Sequence, residues 1–166
     1  MHSQSQSSLK LFSCISILLF LLPILAFAGE AQVKKIHDGD TIKAIWKGRE
    51  VNVRFYGIDC PEKDQPYGMQ AKKYVSEMIR GRDVEVEPTG QPDKYGRVLG
   101  LVYVDGKLLN EALIINGLAW VYDRYCHKRV CDKWNRLERQ ARRADTGLWS
   151  ASNPIPPWEW RHSSRE

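Results

Sequence analysis

Beyond residue 28 the chain has no apolar run of the roughly 20 residues that a bilayer-spanning helix needs, so its body contains no such span. The chain has no internal repeat, which excludes a repeat architecture, and beyond residue 28 its only compositionally biased stretch is 153–161. Cysteine is scarce, with Cys14, Cys60, Cys126 and Cys131 the four in the chain. No histidine lies near Cys60 in sequence, and neighbouring carboxylates raise a thiol pKa, so Cys60 is expected to be a packed or peripheral thiol and not a nucleophile.

The long apolar run that is present lies at the N-terminus. Residues 1–10 are polar with a single positive charge at Lys10, and residues 11–25 are almost continuously apolar. Ala26-Phe27-Ala28 then has the small-x-small pattern of a cleavage site ahead of Gly29. Residues 1–28 read as a signal peptide, which implies a secreted or periplasmic mature chain with no membrane attachment after cleavage. The competing reading is a membrane anchor, against which stand the short run and its interruption by Pro23. Lys10 is the only charged residue in this segment, so the net charge of +5 becomes +4 after cleavage. The basic excess is concentrated in Arg124, Lys128, Arg129, Lys133, Arg136, Arg139, Arg142 and Arg143. Two readings stay open for it: a face for a polyanionic partner, or a solvated helix surface.

The remaining 138 residues suit one domain with a single core, over 29–150, followed by a Pro/Trp-rich tail over 151–166. The prolines of 153–161 predict no regular helix there, only a surface path pinned by Trp158 and Trp160. After export, Cys126 and Cys131 would meet across a short loop as a disulfide. A zinc site at Cys126, His127 and Cys131 is the alternative, but no fourth ligand follows at a recognisable spacing.

Residues 33–37, 41–46 and 50–56 carry β-branched and aromatic residues between Asp38-Gly39 and Lys47-Gly48 turns, predicting a three-stranded meander. Residues 83–87 and 97–104 add two strands. Helices are predicted over 67–79, 108–116 and 132–144, each stopping near a glycine, the last with Trp134, Leu137, Ala141 and Ala144 as its core stripe. The fold class is α+β, mainly β: a five-stranded barrel of the oligonucleotide-binding (OB) type with three helices.

Three segments carry the chemistry: Asp38-Gly-Asp40-Thr41, Arg54-Phe-Tyr-Gly-Ile-Asp59-Cys-Pro-Glu62 and Asp93-Lys-Tyr-Gly-Arg97. Carboxylates attract a hard divalent cation and guanidinium groups fork onto phosphate, so together they suit a phosphodiester. Singly, each residue has a plainer reading. Arg54 could pair with Asp59 or Glu62 on a strand surface, Asp38-Gly39 could be only a turn, and Arg97 a solvated strand end.

These segments, with Asp105-Gly-Lys-Leu-Leu-Asn110-Glu-Ala-Leu113, resemble in order and spacing the staphylococcal nuclease (thermonuclease) family, over about 33–149. The resemblance implies an OB barrel with three helices that hydrolyses DNA and RNA with calcium, expelling the 5′-oxygen to leave 3′-phosphate products. It implies Asp40 and Asp59 as calcium carboxylates, the backbone carbonyl of Cys60 as a further ligand, and Arg54, Glu62 and Arg97 as the catalytic set. Lys94, Tyr95 and Tyr122 are the substrate-binding candidates, with Tyr125 beside them. Two departures stand out: a cysteine replaces the family's threonine at position 60, and only Lys63-Asp-Gln-Pro66 separates Glu62 from Tyr67, a much shortened loop. The alternatives are a non-catalytic nucleic-acid or protein-binding OB module and a small-molecule phosphodiesterase. A monomer is expected.

Overall fold

The computed structural model describes residues 29–163; the expected signal peptide lies outside the described residues. Alternating β-branched residues form β1 (Gly29–Ile36), β2 (Thr41–Trp46) and β3 (Arg49–Phe55), an antiparallel meander with a register shift between Val33 and Lys35. A two-residue strand β4 (Ile58–Asp59) follows, then helix α1 (Gly68–Ile79). Next come β5 (Val84–Pro88) and β6 (Val98–Val104), and after them the short β7 (Lys107–Leu108) and α2 (Leu109–Ile115). β8 (Trp120–Val121), α3 (Val130–Arg143), a 3-10 turn at Gly147–Ser150 and α4 (Pro157–Ser163) complete the described chain.

β1 pairs antiparallel with β2 and β5, β5 with β6, and β6 returns parallel to β3, with Arg54 opposite Leu99. This closes a five-stranded barrel of the OB type and removes its exposed edges. Ile42, Val53, Phe55, Val84, Val86 and Val102 fill the interior, each fully buried and each contributing about 1.5–3 kcal/mol by leaving water. Leu109, Leu113, Ile114 and Trp134 join the helices to the same core. Asn110 is fully buried and satisfied: its amide donates to the carbonyl of Tyr56 at 3.0 Å and accepts from the N–H of Val102 at 3.0 Å. It thereby ties α2 to β6 and to the end of β3.

The five expected barrel strands form, β1 beginning four residues earlier than the pattern suggested. α3 buries Cys131, Trp134, Glu138 and Ala141 at spacings of three and four, whereas Ala144 is an exposed cap residue. Glu138 was not expected inside. It accepts the N–H of Val121 at 2.6 Å and is held by Arg142 from the next turn, so the buried charge is paired. The disulfide joins Cys126 and Cys131, and the zinc alternative is set aside because both sulfurs are consumed. The tail expectation is corrected by a fourth helix, α4, which begins at Pro157. Proline lacks the N–H that is unsatisfied anyway in a first turn and fixes φ near the helical value, so it starts this helix where it would break an interior one.

Candidate functional site

The turn between β1 and β2 places Asp40 at the barrel mouth. Its backbone N–H donates to Asp38 Oδ1 at 3.1 Å, while its carboxylate accepts the N–H of Cys60 at 2.6 Å and the hydroxyl of Thr41 at 3.1 Å. Asp59, in β4 opposite Trp120, is 1% exposed, and Asp40 is 2% exposed. Two carboxylates this deep need compensation, and Arg54 of β3 supplies part of it. One guanidinium nitrogen of Arg54 pairs with Asp40 Oδ1, and the other donates to Asp59 Oδ1 at 2.6 Å and to the carbonyl of Ile58 at 3.3 Å. The strand-surface ion pair and the phosphate-site reading therefore coincide in the same residues.

Glu62 enters from the shortened loop, which is tightly tied. The N–H of Glu62 donates to the Gln65 side chain at 3.1 Å, the N–H of Gln65 returns to the Glu62 carbonyl at 3.0 Å, and the Gln65 amide donates to the carbonyl of Ile155 at 2.7 Å. Gly68 packs against this loop so closely that a Cβ there would sit 1.7 Å from the Glu62 carbonyl oxygen. Only glycine permits that approach.

A residue that sequence reasoning missed completes the cluster. Arg161, on α4, donates to Glu62 Oε1 at 2.6 Å, to Asp59 Oδ2 at 2.7 Å and to Asp59 Oδ1 at 3.2 Å. Burial works against its charge, but the hydrogen bonds to Asp59 and Glu62 outweigh that and hold its pKa above the ordinary arginine value. Its partners lie 99 and 102 residues away in sequence. No local pattern in the sequence marks it, because residues 153–161 read as an irregular tail.

Arg97 stands apart from this cluster in its contacts. Its Nε and terminal nitrogen each lie 2.7 Å from Asp93, and Asp93 also accepts the N–H groups of Tyr95 and Arg97, which builds the turn before β6. Burial works against the Asp93 carboxylate, but these hydrogen bonds lower its pKa. The parallel pairing of β3 with β6 sets Arg54 opposite Leu99, and Arg97 lies on the turn that leads into that strand. Lys94 and Tyr95 are exposed on this turn, with the Lys94 ammonium 5.0 Å from the Tyr95 ring centre. Tyr122 stacks on Trp158 at 4.8 Å with planes 7° apart, and meets Tyr125 edge-on at 4.9 Å. Cys60 is buried and free, the packed thiol that was expected; desolvation pushes its thiol pKa well up, more than the nearby Arg54 lowers it.

Asp40 and Asp59 are hard oxygen donors of the kind a divalent cation takes, within the span of one guanidinium, with the backbone of Cys60 beside both. Among the described residues no three His, Cys, Asp or Glu side chains are grouped so that they could hold a metal ion, so carbonyl, water or substrate oxygens would have to complete a shell around these two.

Residues 52–151 match the family model described as staphylococcal nuclease homologue. The chain is 37% identical over 147 residues to a protein of Escherichia coli named uncharacterized endonuclease, covering 88% of this chain and 94% of that one. It is 32% identical over 169 residues to a protein of Shigella flexneri named micrococcal nuclease, covering 96% and 95%. A protein of Oryza sativa subsp. japonica named probable staphylococcal-like nuclease is 37% identical over 145 residues, covering 87% of this chain and 41% of the plant protein.

Proposed function

The chain belongs to the staphylococcal nuclease family, and from that membership we propose that it is a calcium-dependent endonuclease hydrolysing phosphodiester bonds of DNA and RNA to 3′-phosphate products. The observation that carries this reading is that Asp40, from the β1–β2 turn, meets Arg54, Asp59 and Glu62 of the second motif in one hydrogen-bonded cluster, Glu62 being joined to it through Arg161. Asp40, Asp59 and the carbonyl of Cys60 would hold the cation. When bound, calcium supplies Lewis-acid polarisation of a phosphoryl oxygen. Glu62, held in place by Gln65, takes a proton from the attacking water, a role worth about 10²–10⁴ in rate. Arg54 and Arg97 donate to the non-bridging oxygens as their charge grows, each exchanging a carboxylate partner for phosphate. Water attacks phosphorus, the bond to the 5′-oxygen breaks, and the phosphate stays on the 3′ side.

Lys94, Tyr95 and Tyr122 take up the rest of the substrate; Tyr122 already has one ring face against Trp158. The enzyme acts as a monomer in a secreted or periplasmic setting, a reading to which the Cys126–Cys131 disulfide lends support. Digestion of single-stranded DNA, duplex DNA and RNA by residues 29–166, with calcium or chelator, tests the proposal. Cleavage is expected with calcium only, and is expected to vanish in a Glu62→Gln, Arg97→Ala variant. Binding without cleavage under every metal would instead make the chain a non-catalytic OB module.

A further inference from the structure

Arg161 is engaged with two acids that the proposed reaction uses, yet none of the site segments of the barrel contains it. Its guanidinium bridges Glu62 and Asp59, and its side chain is one-third exposed, whereas that of Arg54 is half as exposed and is committed to Asp40, Asp59 and a backbone carbonyl. Asp40, Asp59 and Glu62 bring three negative charges against two from Arg54 and Arg161. The cluster is thus negative before any phosphate arrives.

The segment that carries Arg161 is anchored. Trp158 stacks on Tyr122 and meets Trp120 edge-on at 5.6 Å, Pro157 is buried, and the Ile155 carbonyl accepts the Gln65 amide. The same glutamine fixes the Glu62 loop. Arg161 and Glu62 are therefore held on one scaffold. A phosphodiester attacked by a water on Glu62 must lie within a few ångströms of that carboxylate, and hence within reach of a donor already 2.6 Å from it.

We propose that Arg161 is a third phosphate-binding arginine of the site: it neutralises Asp59 and Glu62 in the free enzyme and transfers donors to a substrate phosphate in the complex. The proposal rests on the nuclease reading above. It makes the C-terminal segment part of the substrate site and not an appendage. Both terminal nitrogens of Arg161 are engaged, one with Glu62 and Asp59 and the other with Asp59, a planar fork that matches phosphate and that lysine reproduces poorly.

The test uses protein purified from expression of the full chain, as wild type, Arg161→Ala and Arg161→Lys, with thermal melting to check folding. Anisotropy of a fluorescein-labelled single-stranded thymidine dodecamer in EDTA reads binding without metal or turnover. Affinity is expected to fall about tenfold in Arg161→Ala, the size of one lost charge-assisted hydrogen bond. With calcium, kcat/KM is expected to fall about 10- to 100-fold, to stay low in Arg161→Lys, and to recover in part when methylguanidinium is added to Arg161→Ala. Unchanged binding, or cleavage at or above the wild-type rate in either variant, would overturn the proposal and make Arg161 a counter-ion that restrains the enzyme. If Arg161→Ala does not fold, Arg161→Lys carries the same decision. A wild type that binds the dodecamer but never cleaves defeats the nuclease reading, while the binding comparison still judges Arg161.

Discussion

At the scale of single residues the site depends on small side chains as much as on charged ones. Glu62 is held by hydrogen bonds on both sides of its loop, and Gly68 is the contact that sets how closely that loop can lie to α1. A Gly68→Ala change puts a methyl carbon 1.7 Å from the Glu62 carbonyl oxygen, which no rotamer can relieve because both atoms are fixed by backbone. The loop must move, and Glu62 with it. A 1 Å displacement of a catalytic group costs about 10² in rate, so kcat/KM on single-stranded DNA is expected to drop about a hundredfold while the protein remains folded by circular dichroism. Retention of full activity would show that Glu62 tolerates displacement and is not the base. At this scale the sequence was informative about Asp40, Arg54, Asp59 and Glu62, since acids and arginines in turn-rich motifs announce themselves. It was silent on Arg161, because a contact across 99 residues leaves no local pattern.

Elements explain where the local patterns sufficed. β2, β3 and β5 were legible from alternation and bounding turns, β6 from an apolar run ended by Asp105-Gly106, and α3 from its Trp134-centred stripe. The two-residue strands β4 and β8 were not, because their pairing is long-range and too short to leave a period. α4 was hidden by its own prolines, which act as a helix start here. The loop from β8 to α3 shows how a disulfide-bonded segment is tied to the site. Its disulfide sits against Gly57, and the N–H groups of His127 and Lys128 donate to the Tyr56 hydroxyl at 2.9 and 3.2 Å, fixing the loop to the turn that leads into Asp59. Replacing both Cys126 and Cys131 by serine releases a five-residue separation, for which the chain-entropy relation gives about 2 kcal/mol. Urea unfolding should show that loss as a lower midpoint with an unchanged slope. A midpoint matching the wild type would mean that the Tyr56 contacts hold the loop without the bridge.

For the whole molecule, the open question is how a chain with a negatively charged reaction cluster attracts a polyanion. The barrel and its motifs, legible together because their order and spacing agree, account for the site but not for approach to it. The positive charge resides elsewhere. Arg136, Arg139 and Arg143 are exposed on α3, whereas Arg142 is occupied by Glu138 and lies over the rings of Trp120 and Trp149 at 4.5 and 3.8 Å. Sequence alone could not separate a nucleic-acid face from a solvated helix, because both present the same exposed arginines. Salt dependence can separate them, since each single-strand phosphate neutralised by protein contributes about −0.7 to the slope of log K against log salt. If the α3 face meets substrate, changing Arg136, Arg139 and Arg143 together to glutamine should reduce that slope by about 2 and raise KM at low salt, leaving kcat as it was. Dodecamer binding between 50 and 200 mM salt, roughly the interval over which such contacts lose most of their strength, is the measurement. An unchanged slope would assign the charge to solvation and leave attraction to Lys94 and Arg97 on the turn before β6 and to Arg161.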